Sequence, residues 1–173
     1  FAASGVTTSA GVLGTAVTAA DANKVTILRL TETTVVAGLS GATTVVAGGE
    51  VQVVSVGVTG DGVSTVNSIG ITLSDLTAAT GLAVTDFTEL RLYTSTDATL
   101  DGGDTQIGSE TTINIGSATT IAAGTPNVPG NGTEVFYLIS AVIAASPTGG
   151  HAFRVGFAAS GVTTSAGVLG TAV

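Results

Sequence analysis

One 17-residue segment occurs twice in the chain, as residues 1–17 and again as residues 157–173, without a single difference. Both copies read FAASGVTTSAGVLGTAV, and we refer to them as the first copy and the second copy. Chance does not produce identity over such a length. Repetition at a fixed period is typical of arrays in which each unit is stabilised by its neighbour. The repeat therefore favours assembly over chemistry as the function.

The composition favours β-structure. Hydrophobic residues make up 44% of the 173 residues, but aromatic residues only 4%, so the apolar residues are mainly Val, Ala, Leu and Ile. Val, Ile and the many Thr residues are β-branched, which suits the pleated, half-buried surface of a sheet. The 25 glycines and the small number of Glu, Lys and Arg residues disfavour helices. We therefore predict an all-β fold, and the length fits one domain.

The charge balance limits the partners. Four basic residues stand against 12 acidic ones, which gives a net charge of −8. Because no basic stripe is present, we predict that the protein does not bind nucleic acid. The chain has no cysteine, which excludes disulfides and thiolate metal sites. No apolar run approaches the roughly 20 residues of a membrane span, so we expect no transmembrane segment. An acidic, charge-poor composition rich in Thr and Gly suits secretion, so we expect an extracellular or cell-surface location.

Alternating apolar and polar residues mark the strands. The predicted strands cover residues 24–30, 33–37, 43–47, 50–58, 66–73, 88–93, 133–143 and a last strand from His151, with weaker signals at Ile113, Ile115 and Ile121. We interpret residues 94–110 as an acidic loop, and residues 124–132 as a loop because they contain Pro126 and Pro129. About seven to nine short strands predict an immunoglobulin-like β-sandwich, with a barrel as the alternative.

The strand phase divides the chain into parts. Phe153, Val155 and Phe157 fall on one face of the last predicted strand, so the second copy starts inside a strand. The residues HAFRVG that precede the second copy are missing before the first, as in a processed product or a window on a longer array. We predict a junction or donor segment with a linker at residues 1–23, a sandwich domain at residues 24–164, and the second copy of the junction segment at residues 157–173.

Several stretches resemble a known kind of module. They are VQVVSVGVTGDG (51–62), IGITLSD (69–75), FTELRLYTSTDATLDGGDTQIGS (87–109) and the last pair of strands (132–164). Together they are similar to the β-sandwich repeats of bacterial cell-surface proteins, which occur as many tandem copies in long secreted chains. The resemblance covers residues 24–164 and implies an extracellular structural or adhesive module.

The acidic loop contains the best candidate for a metal site. Asp97, Asp101 and Asp104 lie within eight positions, two glycines lie among them, and Glu110 follows. Carboxylate oxygens are the ligands that Ca²⁺ prefers, and glycines let a backbone fold around an ion. The spacing does not match an EF-hand. The alternative is a solvated turn in which Asp and Gly serve backbone geometry. We predict no other cofactor.

Two further residues need an interpretation. His151 is the only histidine, and no cysteine or serine accompanies it in the pattern of an activated nucleophile. We therefore interpret His151 as a polar residue at a strand start and expect no enzymatic activity. Asn131 begins the sequence Asn-Gly-Thr, which is a possible site of N-glycosylation.

The sequence leads to two classes of function. The first is a structural unit of an extracellular filament or surface fibre, which binds copies of itself through a covalent tandem array or through donor-strand addition. The junction residues would be Phe1, Val6, Val12, Val17, Phe157, Val162, Val168 and Val173. The second class is an adhesin or carbohydrate-binding module, which needs exposed aromatic rings for sugars, and only Tyr93 is expected to be available.

Overall fold

Runs of β-branched residues, separated by turns rich in glycine and aspartate, form the strands of this protein. The computed structural model describes residues 8–9, 12–13, 31–37, 45–76 and 81–169. The strands in these ranges are β1 (Thr8–Ser9), β2 (Val12–Leu13), β3 (Thr31–Ala37), β4 (Glu50–Thr59), β5 (Val66–Asp75), β6 (Phe87–Ser95), β7 (Thr105–Glu110), β8 (Ala118–Asn127), β9 (Glu134–Ile143), β10 (Phe153–Thr164) and β11 (Gly167–Leu169). A 3₁₀-helix covers Val84–Asp86.

The strands β3 to β11 form two antiparallel sheets. One sheet has the order β3-β4-β9-β6-β7, and the other has the order β11-β10-β5-β8. Buried side chains from both sheets form a single core between them. The all-β prediction and the sandwich are therefore confirmed. Within the described ranges, no helix is long and apolar enough to cross a membrane.

The core follows the alternation of the sequence. Ile69, Ile71 and Leu73 on β5 are fully buried, and Leu90 and Leu92 on β6 are buried in the same way. All five residues belong to the common core, as the period-two pattern predicts. Burial of each such side chain contributes about 1.5–3 kcal/mol to folding. These two strands therefore supply much of the apolar contact between the sheets.

The strand β9 is buried on both faces. Tyr137 and Ile139 point into the core, and the Tyr137 hydroxyl donates a hydrogen bond to the side-chain oxygen of Asn127 on β8. Leu138 lies on the opposite face and is 0% exposed, although it does not belong to the core cluster. The predicted strand 133–143 has apolar residues on both faces, which predicts that both faces are covered, and the burial of Leu138 confirms it.

Two predicted loops are confirmed at residues 96–104 and 128–132, but their predicted bounds are too wide. Residues 105–110 form β7, which pairs with β6 along the edge of its sheet. β8 continues through Pro126 as far as Asn127. Proline is tolerated there because β8 is an edge strand and its register with β5 shifts just before Asn127.

The weaker strand signals have mixed outcomes. Ile121 lies in β8, but Ile113 and Ile115 do not form a strand, since Ile115 makes only an isolated bridge to Leu73. The predicted strand 33–37 lies in β3, which pairs with β4 rather than with residues 43–47. Of that second run, residues 45–47 are outside any strand and residues 43–44 lie outside the described residues. The predicted strand 24–30 also lies outside them.

The two sheets meet closely along one side of the sandwich. A side chain at Gly108 of β7 would overlap the carbonyl oxygen of Ala122 on β8, so glycine is needed at this approach. The opposite ends of the two sheet orders are β3 and β11. The second copy therefore lies in the four-stranded sheet, away from the side where β7 meets β8.

Candidate functional site

The second copy is an integral part of the sandwich. It supplies the C-terminal two thirds of β10 and all of β11. β10 pairs with β5, where Phe157 lies opposite Ile71 and Val162 lies opposite Ile69. Phe157 is 2% exposed and Val162 is 0% exposed, and both belong to the core. The predicted inward face of the last strand is thus confirmed at Phe157.

An irregularity in β10 brings both residues inward. From Phe157 to Val162 the chain advances five residues, while β5 advances only two, from Ile71 to Ile69. In a regular strand an odd spacing would place the two side chains on opposite faces. The extra residues bulge out of the ladder, and Ser160 among them has a φ of 64°, in the left-handed region. The bulge is therefore what puts Phe157 and Val162 on one face.

A tight hairpin follows Val162. The chain turns at residues 165–166, and the Thr164 hydroxyl accepts a hydrogen bond from the Ala166 amide. The turn is held to the β4–β5 loop, because the Thr65 amide donates to the Ser165 hydroxyl and the Ser165 amide donates to the Thr65 carbonyl. The second copy is therefore fixed by specific polar contacts as well as by its apolar side chains.

The predicted junction residues have different environments. Phe157 and Val162 are core residues, whereas Val168 is 57% exposed on β11, the last strand of its sheet in the described residues. A single strand through the repeat would place Val162 and Val168 on one face, but the turn at 165–166 separates them. Of the others, Val12 lies in β2, and Phe1, Val6, Val17 and Val173 lie outside the described residues.

The described part of the first copy is a short hairpin. Among the described residues, β1 pairs with β2, with Thr8 opposite Leu13 and Ser9 opposite Val12. In the second copy, Leu169, the counterpart of Leu13, pairs instead with Val162. The same residues thus adopt two different hairpin registers at the two ends of the chain.

A buried ion pair anchors the loop that leads into β10. The Nδ1 atom of His151 lies 2.6 Å from Oδ2 of Asp86, and both side chains are 6% exposed. Asp86 also accepts hydrogen bonds from the amides of Thr148 and Ala83. Burial opposes ionisation, but the hydrogen bond from His151 and the two backbone amides outweigh it and lower the pKa of Asp86 to about 2. Asp86 therefore connects the segment before β6 to the start of β10.

A second polar cluster lies around Glu50 at the start of β4. Glu50 accepts hydrogen bonds from Ser140, Tyr93 and Arg91, and Arg91 also pairs with Glu89 at 2.6 Å. Burial tends to raise the pKa of Glu50, but the hydrogen bonds from Ser140 and Tyr93 and the charge of Arg91 outweigh it and lower the pKa. Tyr93 is half-buried in this network, so its ring is not the open aromatic platform that the adhesin alternative needs.

The aspartates of the acidic loop serve the turn. Each carboxylate accepts a hydrogen bond from a nearby backbone amide. Asp97 accepts one from Thr99, Asp101 accepts one from Gly103, and Asp104 accepts one from Asp101. These three aspartates line one shallow surface depression.

Glu110 lies at the other end of β7 and does not line that depression. Its carboxylate accepts a hydrogen bond from the backbone amide of Thr112. In the part of the chain that is described, no three His, Cys, Asp or Glu side chains are grouped to hold a metal ion. A calcium site made by the four carboxylates stays a prediction, and it would show as a melting temperature that calcium raises and a chelator lowers.

Asn131 is exposed in a loop that is tied to its neighbour. The Gly60 amide donates to the Thr133 carbonyl, the Gly132 amide donates to the Gly60 carbonyl, and the Gly62 amide donates to the Pro129 carbonyl. These bonds fix the loop before β9 and leave Asn131 on the surface. Glycosylation at this residue stays a prediction that its exposure permits.

Sequence reasoning missed Asp86 and the core role of the second copy's hairpin. Asp86 is 65 positions from His151, and no local pattern connects two residues so far apart. The spacing of an Asp in a loop and the single His of the chain does not predict that the two side chains are in contact.

Comparison of the chain with protein-family models, with curated protein sequences and with solved structures finds no match. The resemblance to bacterial surface repeats and the immunoglobulin-like assignment therefore stay predictions, and the function is argued from the structure of the repeat.

Proposed function

We propose that the protein is a non-enzymatic structural unit of an extracellular filament or surface fibre, and that its units are joined through the repeated segment. The observation that carries this proposal is the place of the second copy in the sandwich. Phe157 and Val162 are buried in the core and pair with β5, so this segment is needed to complete one unit.

Only one of the two copies can then occupy the position beside β5 in each unit. β5 is paired on one side with β10 and on the other with β8, so the position that the second copy occupies is filled once in each unit. A further identical segment can take such a position in another unit, where it displaces the second copy of that unit. Strand addition of this kind relies on main-chain hydrogen bonds and suits small side chains.

The composition and the edges of the sandwich agree with an extracellular structural role. The net charge of −8 with only four basic residues suits a surface exposed outside the cell, and the resemblance to surface repeats supports the same proposal. The strand β11 is only three residues long, which limits uncontrolled pairing at that edge. At this edge, the short strand favours assembly through the repeated segment over direct pairing between sheets.

The proposal is tested by removing the first copy. The full chain and a chain of residues 18–173 are compared by sedimentation velocity and electron microscopy, at chain concentrations up to the millimolar range. We expect the full chain to assemble and the shortened chain to stay monomeric. Circular dichroism and the melting temperature serve as the control, since the shortened chain keeps the second copy and is expected to fold. Unaltered fibres from the shortened chain would contradict the proposal.

The mass of the denatured polymer separates the two forms of linkage. A mass near 16.6 kDa means separate subunits joined by strand addition, and a much larger mass means a covalent tandem array.

A further inference from the structure

We infer that the first copy of one molecule binds beside β5 of a second molecule, in the position that the second copy occupies in the structure. This inference rests on the proposed function and deepens it, because it names the acceptor site and the register. The partner is a second copy of this chain. We call the position beside β5 the acceptor position.

The acceptor position is defined by specific contacts. β5 presents Ile69 and Ile71 to the strand beside it, and Thr65 holds the hairpin turn through two hydrogen bonds to Ser165. Apolar pockets and main-chain bonds at alternate residues are the features by which a sheet recognises an added strand. A ligand for this position therefore needs a large apolar residue, a second apolar residue five positions later, and a Thr-Ser turn.

The first copy has each of these features. Phe1 and Val6 have the spacing of Phe157 and Val162, and Ser9 corresponds to Ser165. The segment has no charged side chain, so no side-chain charge has to be buried when it binds. In the acceptor position, Phe1 lies opposite Ile71 and Val6 lies opposite Ile69 of the partner molecule. The fit is the observed one, because the sequence is the same at every position.

Competition between the copies makes the exchange concentration-dependent. The second copy is tethered beside the acceptor position of its own molecule, which gives it an effective concentration on the order of millimolar. The first copy of another molecule has the residues that correspond to 157–173 but not those that correspond to Phe153–Gly156, which also pair with β5. It therefore displaces the second copy to a measurable extent only when its concentration approaches or exceeds this value. Exchange is therefore expected in concentrated solution and within an assembly, and is rare in dilute solution.

Paired cysteines test the register in the full chain, which has no native cysteine. Ser68 lies opposite Thr163, and both residues are away from the core, so cysteines at these positions are tolerated. Ser68→Cys with Thr163→Cys is the control, which joins β5 to the second copy within one molecule. Ser68→Cys with Thr7→Cys is the test, because Thr7 is the counterpart of Thr163 in the first copy. Both variants are oxidised at dilute and near-millimolar concentrations and separated on a denaturing gel without reductant.

The expected result is a ladder of disulfide-linked multimers for the test variant at high concentration, while the control variant stays a single chain. An excess of the 17-residue peptide FAASGVTTSAGVLGTAV is expected to shorten the ladder by filling acceptor positions. In one outcome, sedimentation shows that the test variant assembles while the gel shows no ladder. This result would refute binding of the first copy at the acceptor position and leave the proposed function standing. If neither variant assembles, the proposed function fails with it. Cross-linking of the test variant only within single chains also overturns the exchange.

Discussion

The two copies of the repeated segment have the same 17 residues and different structures. In the second copy, Val162 pairs with both Leu169 and Ile69 and is buried in the core. In the first copy, Thr8 pairs with Leu13, and the two short strands form a separate hairpin. The difference shows that the sequence of the segment does not by itself fix the register of its hairpin. A strand rich in small residues specifies its own register weakly.

The second copy differs from the first in what surrounds it. β5 provides Ile69 and Ile71 as partners, and the loop that leads into β10 is anchored by Asp86 and His151. The contributions of these surroundings to stability can be measured directly, because each substitution in the second copy can be compared with the same substitution at the equivalent residue of the first copy.

The largest expected difference is at the phenylalanines. Phe157→Ala removes a buried ring from the core and is expected to lower the free energy of unfolding by about 3–5 kcal/mol. Phe1→Ala is expected to change it by less than about 0.5 kcal/mol, because the acceptor position is already filled by the second copy. Urea unfolding followed by circular dichroism measures both, since the chain has no tryptophan to report by fluorescence. Equal losses in the free energy of unfolding for the two variants would contradict the different roles of the two copies.

The next largest effect is expected at the contact between Asp86 and His151, which we call the anchor of the second copy. Asp86→Asn leaves donors of Ala83 and His151 without a charged acceptor, and we expect a loss of about 1–3 kcal/mol at neutral pH. Asp97→Asn is the matched surface control and is expected to change stability by less than about 0.5 kcal/mol. A loss at Asp97 as large as that at Asp86 would remove the special role of the anchor.

The pH dependence of the anchor has a defined sign. The pKa of Asp86 is lowered in the folded protein to about 2, so its contribution to stability is complete above its ordinary value near 3.8 and is lost as the pH falls towards 2. Wild type is therefore expected to lose more stability than Asp86→Asn between pH 4 and pH 2. Parallel unfolding curves for the two proteins over this range would show that Asp86 is not ionised in the anchor.

The smallest expected effect is at the bulge. Ser160 has a φ of 64°, and a non-glycine residue in this region costs roughly 1–2 kcal/mol, of which glycine recovers part after its own entropic cost. Ser160→Gly is therefore expected to raise the free energy of unfolding by about 0.5–1 kcal/mol. The twin substitution Ser4→Gly is expected to give no gain in the monomer. A gain of the same size at both sites would mean that both copies are held in the same bulge.

The sequence predicts the fold best where one face of a strand is buried. The alternation in β5 and β6 identifies Ile69, Ile71, Leu90 and Leu92 as core residues because side chains on a strand alternate between the two faces. β7 is missed because it lies at a sheet edge and has a single large apolar residue, Ile107, in a polar run. Edge strands are stabilised by their partner, and a partner is not visible in the strand's own sequence.

The candidate site is predictable only in part. Strand phase places Phe157 in the core correctly, but the bulge that also brings Val162 inward depends on the register with β5. The contacts between Asp86 and His151, and between Thr65 and Ser165, join residues that are 65 and 100 positions apart. Contacts over such separations follow from the topology of the sheets, which the local pattern does not contain.

The central claim is that the second copy completes a unit and the first copy joins units. The molar mass of the full chain carrying Val6→Asp, measured by light scattering at a concentration where wild type assembles, tests it most directly. A charge at this position cannot be buried beside Ile69 of a neighbour. The account predicts a folded chain with the mass of one molecule, 16.6 kDa, while Val162→Asp fails to fold. Assembly of the Val6→Asp chain to the same size as wild type would contradict the account.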